Sequence, residues 1–206
     1  MVKQGEDHVK LRILQAARKL AADRGFEATT IREICREANA NISLVSYYYG
    51  GKEHLFEAML QQFIPFPLYS VQIRQEKLDP VTGMDRLIER VFDFGQQDPE
   101  ISHILHQEFA LRSERIATIQ QYTFPAWELL RQYLRDGREQ GVFHFYSLDQ
   151  TFLQVIGSIL FGSNTVKSFA FIPLLDQEEP DRQQQLDELK RYVLRGIGYR
   201  QELSSP

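Results

Sequence analysis

Between Asn41 and Lys52 the chain reads "NISLVSYYYGGK", which sets hydroxyls and aromatic rings beside a cation. Ser43, Ser46, Tyr47 and Tyr48 donate and accept hydrogen bonds. Leu44 offers an apolar surface to a methyl group, and the Lys52 ammonium suits a phosphate oxygen. Such a set recognises a partner. Nucleophilic catalysis needs an activated nucleophile beside a base, and no such pair is readable in linear order. No GxxxxGK[ST], GxGxxG or GxSxG occurs in the 206 residues, so an enzyme is not expected. His103 and His106 stand three apart with Glu100 and Gln107 nearby, enough to place two metal ligands on one helix face. A third clear ligand is missing. Neither a metal nor a cofactor is expected.

The elements that must position this stretch are helical. Val9, Ile13, Ala16, Ala17, Leu20 and Ala21 recur at helical spacing, and Lys10, Arg12, Arg18 and Lys19 fall on other faces. Arg24-Gly25 closes that helix with a basic last turn and a residue that accepts positive φ. Thr30 with Glu33 three residues later is a capping box that opens a second helix, whose apolar face is Ile31, Ile34, Cys35 and Ala38. "NAN" at 39–41 breaks it, and Asn41 is placed to cap a third helix from Ile42. On that helix Val45 and Tyr49 lie four apart and point inward, Ser43, Leu44, Ser46 and Tyr47 take the outer arc, and Tyr48 sits at the edge. Two short helices around a tight polar turn outline a helix-turn-helix, and an ordinary helical hairpin has the same outline.

Charge is unevenly placed. The net formal charge is −4, yet residues 1–55 hold nine basic against seven acidic residues, leaving 15 against 21 for the remainder. A mildly basic head on an acidic body permits local phosphate contact without general stickiness. Composition is 43% hydrophobic and 25% charged, that of an ordinary globular chain long enough to bury a core without disulfides. Cys35 is the single cysteine, which excludes an internal disulfide and fits a reducing compartment. "MVKQGEDHVK" has no apolar run behind its charges, so no secretory leader is expected and the cytoplasm is.

Residues 9–57 resemble the N-terminal DNA-binding domain of the tetracycline-repressor (TetR) family of bacterial transcription regulators. The first helix ends in Gly25-Phe26, "TTIREI" enters the second, the third ends in aromatics, and Lys52-Glu53 opens the fourth. Several independent elements fall in register over some fifty residues. Asn39 replaces the usual turn glycine, and Gly50-Gly51 replaces Pro-Ser or Gly-Ser. Neither breaks the frame, because Asn tolerates left-handed backbone. The resemblance implies an all-α chain: a three-helix helix-turn-helix domain at 1–53, then a larger helical ligand-binding and dimerisation domain at 54–206. It places Ser43, Leu44, Ser46 and Tyr47 near base edges or sugars, Tyr48 and Lys52 on phosphates, and Thr30 and Arg32 against DNA as well.

Beyond Lys52 no strand-like alternation is sustained. "KEHLFEAMLQQFI" opens a linking helix that "PFP" (65–67) must kink or end. Further helices are predicted over "VTGMDRLIERVFDFGQQ", from Pro99 through "PEISHILHQEFALRSERIATI", and from Thr123 to Gln140. The apolar segment "LDQTFLQVIGSILFGSNTVKSFAFI" is interrupted by Gln154, Ser158, Ser163, Asn164 and Lys167, so it reads as a buried helix and no membrane span. "DQEEPDRQQQ" (176–185) reads as a polar loop before a last helix over "LDELKRYVLRGIG". The resemblance implies a homodimer through the last two long helices, a double-stranded operator with two half-sites, and a small-molecule effector pocket. Aromatics available to that pocket are Phe63, Phe66, Phe92, Phe109, Tyr122, Trp127 and Phe161, which suggests an apolar or aromatic effector. The expected function is therefore a dimeric repressor released by an effector. The alternative is a DNA-binding protein whose acidic body recruits a protein partner.

Overall fold

The computed structural model describes residues 2–162 and 181–200, with side chains from Glu6 onward. Among these residues there are ten helices and no strands. In chain order they are α1 (Val2–Arg24), α2 (Ile31–Glu37), α3 (Ile42–Tyr49), α4 (Lys52–Phe63) and α5 (Phe66–Glu76). There follow α6 (Pro80–Gln97), α7 (Pro99–Leu111), α8 (Ile116–Glu139), α9 (Leu148–Gly162) and α10 (Arg182–Gly196). Among the described residues they form two compact units, one of residues 2–66 with 100–123 and one of 67–99 with 124–162 and 181–200.

In the first unit α1 packs on α2 and α4, and α3 packs on α2 and α4. The apolar stripe of α1 supplies Ile13, Ala17 and Ala21, which meet Ile34, Val45, Leu55 and Met59 in a core with no solvent access. Phe26, just beyond the end of α1, is fully buried with its ring centroid 4.6 Å from that of Phe56. Local chemistry sets the helix ends. Gly25 sits at φ 87° after α1, and Asn39 takes the left-handed turn at φ 47° as its side chain allows. α4 stops before Ile64-Pro65, as the proline requires.

In the second unit α6, α9 and α10 pack together. Met84, Leu87, Ile88 and Phe92 of α6, Leu130 and Leu134 of α8, Ile159 of α9, Leu186 of α10 and Ile197 just after it are all buried. Two glycines allow rings to approach backbone: a Cβ on Gly83 would lie 2.2 Å from the Tyr133 ring, and one on Gly137 2.1 Å from Phe143. Lys190 on α10 reaches Asp85 at 2.9 Å and Glu89 at 3.3 Å on α6.

Three of the differences from the sequence reading at helix boundaries have a local cause. The helix that opens at Pro99 ends at Leu111 instead of running on to Ile119, because Arg112 turns left-handed at φ 49°. α8 then begins at Ile116, seven residues before the expected Thr123, and carries Pro125 inside it. Proline leaves the carbonyl four residues back, that of Gln121, without its helical donor, and Gln121 is an exposed residue. Finally, the end of the expected loop is the start of a helix: Asp181 and Gln184 form a capping box for α10. Residues 163–180, which include the rest of the apolar segment and 176–180 of the loop, lie outside the described residues. No helix among the described residues is long and apolar enough to cross a membrane.

Candidate nucleic-acid interface

The interface is built from the caps outward. The Thr30 hydroxyl accepts from Glu33 N at 3.3 Å, and the Glu33 carboxylate accepts from Thr30 N at 3.0 Å and Thr30 Oγ1 at 2.6 Å. These bonds, with the Arg24 guanidinium, hold the Glu33 carboxyl down at about 2. Asn41 Oδ1 accepts from Ser43 N at 3.0 Å and Ser43 Oγ at 2.9 Å, so the start of α3 is tied before any partner arrives. The capping residue Thr30 and the first-turn Ser43 thus already have partners, while the neighbouring Arg32 side chain is exposed.

α3 sorts its residues by face. Val45 is fully buried, and Tyr49 turns inward so that its hydroxyl donates to Lys10 O at 3.0 Å. Tyr47 is 77% exposed. Tyr48 is half-buried at the edge, its ring 5.1 Å from that of Tyr47 in an edge arrangement and covered by the Lys10 ammonium at 5.1 Å. Ser43 and Ser46 are exposed. Leu44, expected in the open, is half-buried instead; at about 100° per residue it falls between Tyr47 and the half-buried Tyr48 on the helix wheel, and part of its surface is covered.

Burial, with the nearby Tyr48 phenol second, pushes the Tyr49 hydroxyl up to about 12. Its protonated form is therefore favoured in the folded chain. The stability this contributes is complete below the ordinary tyrosine value near 10 and is lost as pH rises from there through about 12. Alkaline unfolding followed by circular dichroism should begin in that window, and Tyr49→Phe should blunt the pH dependence while lowering stability at neutral pH by about 1 kcal/mol.

α4 opens at Gly51-Lys52, after Gly50 ends α3 at φ 75°. The Lys52 ammonium donates to Glu27 O at 2.8 Å and lies 5.3 Å from the Phe26 ring. It is half-buried at a helix N-terminus, where the macrodipole disfavours a cation. Beside it Arg115, from the turn between α7 and α8, reaches Glu27 at 3.0 Å and Glu53 at 3.4 Å. Its other edge grips the buried Glu108 at 3.0 and 3.5 Å. Sequence reading missed both Lys10 and Arg115. Lys10 was legible as a basic face of α1, but nothing local marks Arg115.

The residues proposed for an effector pocket are scattered in burial. Phe66 and Phe92 are buried in the core. Phe63, Tyr122 and Trp127 are half-buried, and Phe63 carries the Arg18 guanidinium 4.5 Å over its ring. Phe109 is 41% exposed and Phe161 66% exposed. His103 Nε2 lies 2.6 Å from the Gln107 amide nitrogen, and burial with neighbouring His103 lowers the pKa of His106. No group of three or more metal-ligating side chains converges among the described residues.

Residues 13–59 match the family described as bacterial regulatory proteins, tetR family. Residues 80–191 match the tetracyclin repressor-like C-terminal domain, more than half of the chain. The chain belongs to the TetR family. Similar proteins include the HTH-type transcriptional repressor NicS of Pseudomonas putida, 25% identical over 85% of this chain and 86% of that one. The probable HTH-type transcriptional regulator YttP of Bacillus subtilis is 23% identical over 71% and 72%. Among solved structures, the hemolysin II transcriptional regulator HlyIIR superposes with a TM-score of 0.74 at 24% identity, covering 95% of this chain and 99% of that one. The chain is thus a TetR-family helix-turn-helix transcriptional regulator, non-enzymatic, with operator-DNA binding and an effector-binding C-terminal domain implied by the family.

Proposed function

We propose that this TetR-family chain is a repressor that binds a palindromic operator as a homodimer and is released by a small apolar or aromatic effector. DNA contacts come from Thr30, Arg32, Ser43, Leu44, Ser46, Tyr47, Tyr48 and Lys52. The observation that carries this reading is the sorting of α3, where Val45 and Tyr49 anchor the helix while Tyr47 stands 77% exposed at its end. An exposed aromatic with a phenolic hydroxyl, on a helix fixed at both ends, suits a major groove. Effector binding lowers the population of conformers whose two heads match the half-sites.

Pairing through α9 and α10 is supported by their open face. Leu153 is 60% exposed, Phe161 66% and Tyr192 69%, and Gly157 leaves room for a facing helix. A groove of about 890 Å³ runs between these helices, lined by Thr151, Gln154, Val155, Tyr192 and Ile197 among others. A two-half-site operator requires such a pair. Leu153→Asp/Tyr192→Asp should shift sedimentation from dimer to monomer and abolish cooperative binding to the duplex that the wild-type chain selects from a randomised library. A monomeric wild type that binds a single half-site would contradict the reading.

The effector is sought by screening apolar and aromatic small molecules for release of that duplex. Release by such a compound supports the proposal. Capture of a protein by the acidic body, with DNA binding indifferent to every compound, would favour the partner-recruiting alternative.

A further inference from the structure

Lys52 stands in an acidic neighbourhood. Glu27 lies in the turn after α1 and Glu53 in the first turn of α4, with 78% and 63% of their side chains exposed. Glu53 follows Lys52 in the chain and Glu27 holds the Lys52 ammonium through its backbone carbonyl, so both carboxylates belong to the segments that frame Lys52. Left uncompensated, each would repel a phosphate there about as strongly as the lysine attracts it. One cation reaches both: Arg115 Nη1 lies 3.0 Å from Glu27 Oε2 and 3.4 Å from Glu53 Oε1, with only 11% of the arginine side chain exposed. Its guanidinium is oriented from behind by the bidentate grip of Glu108, itself 2% exposed, and is flanked by the Phe26 and Phe56 rings at 5.4 and 5.6 Å. The same Glu27 that gives its carboxylate to Arg115 gives its carbonyl to Lys52.

We propose that Arg115 is a positioning residue for DNA binding: it holds the Glu27 and Glu53 carboxylates on its own guanidinium and offsets part of their charge beside Lys52, and so makes the α4 edge of the head acceptable to a phosphate. Resting on the reading that Lys52 meets phosphate, this gives the turn between α7 and α8 control over the head. Arg115 reaches the head from residues 88 and 62 positions away in sequence. Any movement that draws Arg115 back exposes two negative charges at the DNA edge, a repulsive switch needing no change in α3 itself. Arg115 touches no base and no phosphate. It acts through the glutamates.

The test is a charge cycle read as affinity for the library-selected duplex at fixed salt. Arg115→Gln alone would strand Glu108, so the cycle is run on full-length chains carrying Glu108→Gln. In that background Arg115→Gln is expected to weaken binding about tenfold, and Arg115→Lys to stay within about threefold of its parent. When Glu27→Gln and Glu53→Gln are also present, Arg115→Gln should cost less, no more than about threefold, because only the arginine's own charge is then lost. An equal loss in both backgrounds would reduce Arg115 to a structural role and overturn the proposal, as would no loss in the first. A second measurement avoids altering Arg115. Glu27→Gln/Glu53→Gln in the otherwise native chain removes two negative charges that one arginine, already paired with Glu108, offsets only in part, so affinity should rise by about threefold; no gain there would also overturn it. Lys52→Ala separates the layers. If it leaves affinity and salt dependence unchanged, the phosphate reading of Lys52 fails. If it weakens binding while the charge cycle is flat, only the role of Arg115 fails.

Discussion

Phe26→Ala is expected to destabilise the first unit by about 3–5 kcal/mol, a large share of the stability of a domain this size. The ring has no solvent access and packs tilted against Phe56. It also lies beneath both the Lys52 ammonium, at 5.3 Å, and the Arg115 guanidinium, at 5.4 Å. Deletion therefore leaves a cavity and removes the surface on which two cations rest. Chemical denaturation should show a lower midpoint with little change in slope. DNA affinity should fall even at temperatures where the variant is folded, because Lys52 and Arg115 lose their seat. Tyr47→Ala makes the contrasting control: it removes an exposed side chain and should leave the denaturation midpoint within about 0.5 kcal/mol of wild type.

Combining Tyr47→Ala with Lys52→Ala is expected to weaken operator binding about a hundredfold, close to 2.7 kcal/mol. The two side chains sit on either side of the Gly50-Gly51 turn and make different kinds of contact, so their effects should add. Tyr47 offers a hydroxyl and a ring at 77% exposure. Lys52 exchanges a carbonyl for a phosphate, so its net gain is smaller than a full charge-assisted bond: the Glu27 carbonyl at 2.8 Å is given up when the phosphate arrives. Tyr47→Ala should relax sequence preference, whereas Lys52→Ala should weaken binding to all duplexes alike. Anisotropy titrations on the selected duplex and on a scrambled one separate these outcomes.

The head was legible in the sequence where its determinants are local. Thr30 with Glu33, Asn41 before Ile42 and Gly25 after Arg24 each decide a helix end within four residues, and the structure has all three. The faces of α3 followed from helical period, with Leu44 the exception, since the degree of cover on a helix flank depends on neighbours that periodicity does not name. The Arg112 break was missed because a left-handed arginine has no composition signal, and the start of α8 was missed with it, since the helix from Pro99 was carried on to Ile119. Arg115 was out of reach for a different reason. Its partners Glu27, Glu53 and Glu108 lie in three separate segments, and only the assembled unit brings them to one guanidinium.

The central claim is that the edge formed by the end of α3 and the start of α4 carries DNA phosphate. The most direct measurement is affinity for the library-selected duplex across a salt series, wild type against Lys52→Ala. The logarithm of wild-type affinity should fall steeply and linearly with log salt concentration, and the Lys52→Ala slope should be shallower by about one at weaker overall binding. Identical slopes and affinities for the two chains would contradict it.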